Sequence, residues 1–253
     1  MTLHQELAAA WQARGLTVLD CRPASGHNRR PNPTLVVVRQ GNTTASYHVF
    51  AWRATHEGKG RRNDNLRVQA TGFGDGNSPY LVNRATVAVG YSEPHLVFFG
   101  FDAWNKRNPG GSSSVHVTRE LIEEAAVNGL ASGGDSWDPR IAFGASHAEA
   151  LLPWLAARWA PKCISVKVRE TESMGIDFRR VLVDPLSSRA ANAVRVGDRL
   201  ALFDEGGQNP DNFLWRVRQI DVLPMQLDSG IHRFRYSFTV QLSAQVTGGL
   251  EAP

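Results

Sequence analysis

Six consecutive residues, Leu96-Val97-Phe98-Phe99-Gly100-Phe101, carry no charge and no hydrogen-bonding side chain. Three phenylalanines and a valine in so short a run favour a strand over a helix, and a strand apolar on both sides must be covered on both sides. The chain therefore needs a layered architecture with a sheet inside it. Its 253 residues, 42% hydrophobic and 21% charged, supply enough apolar surface for such a core and enough length for two domains.

The remaining pattern is mostly strand. Leu16–Cys21, Leu35–Arg39, Ser46–Trp52, Leu66–Thr71, Val82–Tyr91 and Val115–Val117 are short and rich in β-branched residues or alternating. Gly41-Asn42 lies between two of them and predicts a hairpin. Helices are expected at three places. Thr2 caps one that places Leu3, Leu7, Ala10 and Trp11 on one stripe, with Gly15 at its end. Thr118 caps a second, acidic in its early turns, that stops at Gly129. A third runs from Ser146 to Trp159, with Pro153 inside it as a kink or the start of a new turn. After Pro161 the helical signals fade, and strands are expected at Ile164–Arg169, Phe178–Val183, Arg199–Phe203, Phe213–Val222 and Phe234–Leu242. Ala190–Val194 is read as a short helix. The fold class is α+β and β-rich. Residues 1–160 form a mixed, barrel-like recognition domain with flanking helices, and residues 161–253 a second small barrel-like domain.

The search for chemistry returns no catalytic constellation. Cys21 and Cys163 are too far apart for a Cys-x-x-Cys metal site and read as reduced thiols of a cytoplasmic protein. The N-terminus lacks the basic and apolar regions of a signal peptide, and no stretch approaches a membrane span. Gly72-Phe73-Gly74-Asp75-Gly76 lacks the Lys-Ser/Thr of a nucleotide loop. Glu57-Gly58-Lys59, with Asp20 upstream, matches the acid-x-Lys pattern of Mg²⁺-dependent restriction nucleases, but such triplets are common in solvated loops. No cofactor and no metal site are expected.

Binding is better supported. The chain carries a net charge of +4, most of its excess from arginine, whose planar fork suits phosphate and guanine. Basic residues gather in polar loops: His27, Asn28, Arg29 and Arg30; then Lys59, Arg61, Arg62 and, just beyond, Arg67; then Lys106 and Arg107 in the stretch Asn105–Ser114. The reading assigns phosphate contacts to Lys59, Arg61, Arg62, Arg67, Lys106 and Arg107. Asn63, Asn65, Gln69 and Asn105 are assigned to base edges, and Trp52 and Trp104, beside these loops, to stacking on a flipped or modified base. Each loop alone is also what an ordinary solvated loop looks like, and core packing is the plainer role for each tryptophan.

The phrases Tyr47-His48-Val49-Phe50-Ala51-Trp52, Leu66-Arg67-Val68-Gln69-Ala70-Thr71-Gly72, Val97-Phe98-Phe99-Gly100-Phe101-Asp102 and Ser112-Ser113-Ser114-Val115-His116-Val117 resemble the N-terminal recognition region of a group of bacterial restriction endonucleases that end in an HNH nuclease. The resemblance covers the first half of the chain. It implies recognition of double-stranded DNA in a restriction or phage-defence system. No HNH-type segment follows residue 160, which argues against cleavage by this chain through that route and leaves room for a nuclease on a partner subunit. Downstream, Val194-Arg195-Val196-Gly197-Asp198-Arg199-Leu200-Ala201-Leu202 and Trp215-Arg216-Val217 resemble strands of PUA-like pseudo-barrels. Two other readings stay open: a Mg²⁺-dependent nuclease using Asp20 or Glu57, and a non-catalytic partner-binding subunit.

Overall fold

The computed structural model describes residues 1–24, 32–56, 65–71, 86–106, 112–135, 138–183, 194–204, 213–226 and 232–245. They fall into two compact units, Met1–Trp159 and Ala160–Pro253.

The first unit is organised by a seven-stranded sheet in the order β1(Thr17–Pro23), β2(Thr34–Gln40), β3(Thr43–Arg53), β6(Thr86–Ser92), β7(Val97–Phe101), β10(Pro139–Gly144) and β9(Leu130–Gly134). β2 and β3 form the expected hairpin, Gln40 paired with Thr43 and Gly41 at φ 58° in the turn. β3 and β6 are parallel, which demands a crossover. The chain uses that crossover to build β4(Thr55–His56) and β5(Asn65–Thr71). These join β8(Ser112–Thr118) in a separate three-stranded sheet ordered β4-β5-β8.

Every residue of β6 and β7 is buried. One face of the large sheet packs under helix α1(Leu3–Ala13), through Leu3, Leu7 and Trp11, and under Ala148, Leu151 and Leu155. The latter belong to a 3-10 turn, Ala145–Ala150, and helix α3(Leu151–Trp159). Trp11 Nε1 donates to the Ala148 carbonyl at 3.0 Å, so the buried indole keeps a partner. The alternate residues, Phe50, Trp52, Phe99 and Phe101, point to the other face. Trp52 stacks on Phe50 and on Phe101, with ring centroids 5.8 and 5.9 Å apart. Helix α2(Arg119–Asn128) contacts β7 and β10, and β5 contacts β3. The capping signals act as read: Gln5 N–H and Leu121 N–H donate to Thr2 and Thr118, and Gly129 is left-handed after α2.

The second unit holds a six-stranded sheet ordered β11(Cys163–Lys167), β14(Arg199–Phe203), β15(Phe213–Gln226), β16(His232–Gln245), β13(Phe178–Val183) and β12(Glu170–Ser173). Buried Asp198 ties its turn: its carboxylate accepts from the backbone N–H of Lys162 at 3.1 Å and of Arg195 at 2.8 Å. The guanidinium of Arg179 lies 4.4 Å over the Trp215 ring.

The α+β, β-rich class holds, but the described strands form open sheets rather than closed barrels. Three local expectations change. Ser112–Ser114, read as loop, are strand, because they pair with Thr71, Ala70 and Gln69. Helix α3 starts only at Leu151, since His147 leaves helical geometry, and Pro153 sits in its first turn, where no N–H is required. β9 and β12 lack any strong strand signal. Residues 190–193 lie outside the described ones. No helix among the described residues is long and apolar enough to cross a membrane.

His4, 2% exposed, bonds through Nε2 to Asn32 Oδ1 at 2.8 Å, while Asn32 also accepts from Ala51 N–H. Burial pushes the imidazole pKa below its usual 6.5, and the Asn32 contact only partly offsets this. The folded histidine therefore stays neutral where the unfolded one begins to protonate. Stability is expected to fall as pH drops below about 6.5 and to level off beneath the folded pKa. His48 on β3, also lowered by burial, adds the same sign. Urea unfolding between pH 7 and 5 should show this slope and a shallower one in His4→Gln; equal slopes would refute the assignment.

Candidate nucleic-acid interface

β5 and β8 alternate strictly. Leu66, Val68 and Ala70 on β5 and Val115 and Val117 on β8 are all buried at 3% exposure or less. Because opposed residues of an antiparallel pair share a face, the register puts the polar side chains other than Ser113, which pairs with Ala70, on the other one. Asn65 faces Thr118, Arg67 faces His116, and Gln69 faces Ser114. Gln69, Ser114, His116 and Thr118 are exposed, and Asn65 and Arg67 half-buried. Thr55 on β4 lies opposite Arg67. One face of a rigid ribbon thus presents Arg, Gln, Asn, Ser, Thr and His, and its other face is anchored in the core.

These side chains are linked. Arg67 Nη2 donates to Gln69 Oε1, and Ser114 Oγ donates to the same oxygen at 3.2 Å. The serine belongs to a stretch expected as loop, and only the strand register brings it to Gln69. Its signal in sequence was its spacing by two from His116, the periodicity of a strand face.

At the Thr118 end of the ribbon lies a cavity of about 360 Å³. Its lining includes His116 from β8, Glu120 and Glu124 from α2, and Asp135, Asp138 and Arg140 beside β9 and β10. Arg140 is 6% exposed, sits 6.0 Å over the Phe101 ring and forks onto the Asp138 carboxylate. Lys106 Nζ donates to the same carboxylate at 2.6 Å. Desolvation pushes the Asp138 pKa up, but the hydrogen bonds and charges of Arg140 and Lys106 outweigh it, and the group ends below the usual carboxylate range. Nothing in the sequence singled out Asp138 or Arg140, whose pairing depends on burial.

The expected site residues separate accordingly. Arg67, Gln69 and Asn65 come together on the ribbon. Lys106, read as a phosphate contact, is instead ion-paired to Asp138 in the 3-10 turn Ala103–Lys106. Trp104, read as a stacking platform, is 4% exposed and part of the core, and Trp52 stacks on protein rings. Trp104 is therefore buried, and Trp52 is half-buried against Phe50 and Phe101. Lys59, Arg61, Arg62, Asn63, Arg107 and Glu57 lie outside the described residues, as does the side chain of Asn105. Asp20 sits on β1, paired to Arg22 at 2.8 Å. Among the described residues no three His, Cys, Asp or Glu side chains are grouped to hold a metal ion.

No curated protein and no solved structure matches the chain. Residues 45–147, a span that includes the whole β5–β8 ribbon, α2 and the acidic cavity, match the model of the methylase-associated X1 family.

Proposed function

We infer that this chain is the DNA-recognition component of a bacterial restriction-modification or phage-defence system, and that its β5–β8 ribbon is the face laid on double-stranded DNA. The observation that carries the reading is the outward row Asn65, Arg67, Gln69, Ser114 and His116 on an anchored ribbon. These side chains are of the types that reach base edges and phosphates. In the sequence, Lys59, Arg61, Arg62 and Asn63 fall between His56 at the end of β4 and Asn65 at the start of β5, and Arg107 falls five residues before Ser112 at the start of β8. The carboxylates of the cavity repel phosphate, which favours a DNA track running over Arg67 and Gln69 and away from Glu120 and Glu124.

The match to a methylase-associated family supports a partner in the same system, a methylase or another restriction component. In this reading the chain chooses the site or its modification state, and a partner performs the chemistry.

The test is binding of the full chain to random-sequence duplexes, methylated and unmethylated, across a salt series. Tight binding with a steep salt dependence is expected. Arg61→Ala with Arg62→Ala should weaken binding to every sequence and flatten the log–log salt slope by about 0.9 for each lost phosphate contact. Absence of binding at low salt would overturn the reading, and an unchanged slope would remove these two arginines from it.

A further inference from the structure

We propose that the ribbon reads guanine through Arg67, and that Gln69 positions this arginine instead of reading adenine itself. The inference rests on the DNA-binding reading above and sharpens it.

A glutamine recognises adenine by using both ends of its amide: Oε1 accepts from the base N6 amino group while Nε2 donates to N7. Here Oε1 is committed. It accepts from Arg67 Nη2 and from Ser114 Oγ, at 3.2 Å in the second case, and a carbonyl oxygen has two lone pairs. The adenine contact would require breaking one of these bonds in exchange for an equivalent one, with no net gain.

The same contacts orient the arginine. A guanidinium is planar and offers five N–H groups in a fixed fork. The bond to Gln69 engages one of them. The guanidinium is then held over the exposed face of β5 by a neighbour two residues along the same strand, and that neighbour is itself fixed by Ser114 from β8. Guanine presents two acceptors, O6 and N7, on its major-groove edge and is the base that a held arginine fork matches. Adenine sets a donor beside its N7, against which an arginine has only N–H groups to present. The anchored face beneath, Leu66, Val68, Val115 and Val117, keeps the ribbon from adjusting to the wrong base.

The experiment enriches a random duplex pool on the full chain, then replaces single bases of the enriched sequence. A guanine is expected at an invariant position. Its replacement by 7-deazaguanine, which lacks the N7 acceptor, should weaken binding about tenfold, whereas 7-deazaadenine substitutions should leave it within about twofold. Arg67→Ala should bind the guanine and 7-deazaguanine duplexes equally. Arg67→Lys, which keeps the charge without the fork, should also lose the discrimination. Gln69→Ala should lose most of it, and Gln69→Glu, which retains an acceptor toward Arg67, should keep the ratio even at lower overall affinity. A ratio unaffected by Arg67→Ala, or a larger loss with 7-deazaadenine, would overturn the proposal. Salt-dependent binding without an enriched guanine would overturn it and leave DNA binding standing, whereas no binding to any duplex would remove both.

Discussion

Asp138→Ala is expected to lower the unfolding free energy of the first unit by about 3 kcal/mol, because it leaves a guanidinium in the core without its counter-charge. The Arg140 side chain is only 7% exposed, and both of its terminal nitrogens reach the Asp138 carboxylate. Lys106, with its side chain 20% exposed, loses the same partner. Backbone carbonyls of residue 138 and Pro139 still accept from Arg140, at 3.0 and 3.1 Å, but they carry no full charge. Replacing both ionic partners by apolar groups should cost much less, since the stem of Arg140 already packs toward Phe101. Asp138→Ala with Arg140→Met is therefore expected to recover part of the loss. Chemical denaturation of the four proteins of this cycle checks it; a single-mutant effect below about 1 kcal/mol would show that the pair is solvated. The pH dependence has a definite sign. A carboxyl whose folded pKa lies below its unfolded value contributes stability above that unfolded value, near pH 4, and loses it as pH falls through the folded one. The difference between wild type and Asp138→Ala should accordingly be full at neutral pH and shrink in acid below pH 4.

Gly90→Ala should be comparably damaging for a purely steric reason. Gly90 lies on β6 directly opposite Phe99 on β7, and the phenyl ring occupies the space of the missing side chain. A Cβ at this position would stand 2.1 Å from Phe99 Cζ and 2.5 and 2.6 Å from the two Cε atoms. Phe99 is fully buried in a close-packed interior, so the ring cannot yield without disturbing its neighbours. Overpacking of this kind costs about 3 kcal/mol at the upper end of its usual range, or roughly 10 °C in the melting temperature of a unit this size. Gly144→Ala is the control, because its nearest non-neighbouring atom, Ser146 Oγ, is 3.8 Å away and the change should cost less than about 1 kcal/mol. Gly90→Ala with Phe99→Leu should regain stability relative to Gly90→Ala alone. If the two glycine variants melt together, the close approach of this ring does not limit the fold.

How much of this was readable from the residues depends on the range of the interaction. The ends of α1 and α2 were legible because Thr2, Thr118 and Gly129 act on N–H and C=O groups within four residues of themselves. The buried run was legible over Val97–Phe101, because a strand without a polar side can only lie between two layers, whereas Leu96, read as part of it, sits exposed in the preceding turn. β9 was not legible. Leu130–Gly134 ends in two glycines and is extended because β10 pairs with it. Ser112–Ser114 has the composition of a loop and becomes strand through its partners on β5.

The same division runs through the candidate site. Alternation along Leu66–Thr71 and the β-branched run Val115–Val117 predicted two strands, and residue type made Arg67 and Gln69 candidates for binding. Sequence by itself therefore determined the strongly patterned strands, the ends of α1 and α2, and the residue types available for polar contacts, since each follows from local backbone chemistry and the period of the strand. Tertiary structure alone decided how those residues are used. Register brought Ser114 to Gln69 and so committed the amide oxygen, burial drew Lys106 and Arg140 onto Asp138, and core packing took Trp104 out of solvent. These are contacts between residues distant in the chain, governed by desolvation and by strand pairing, and no local pattern encodes either.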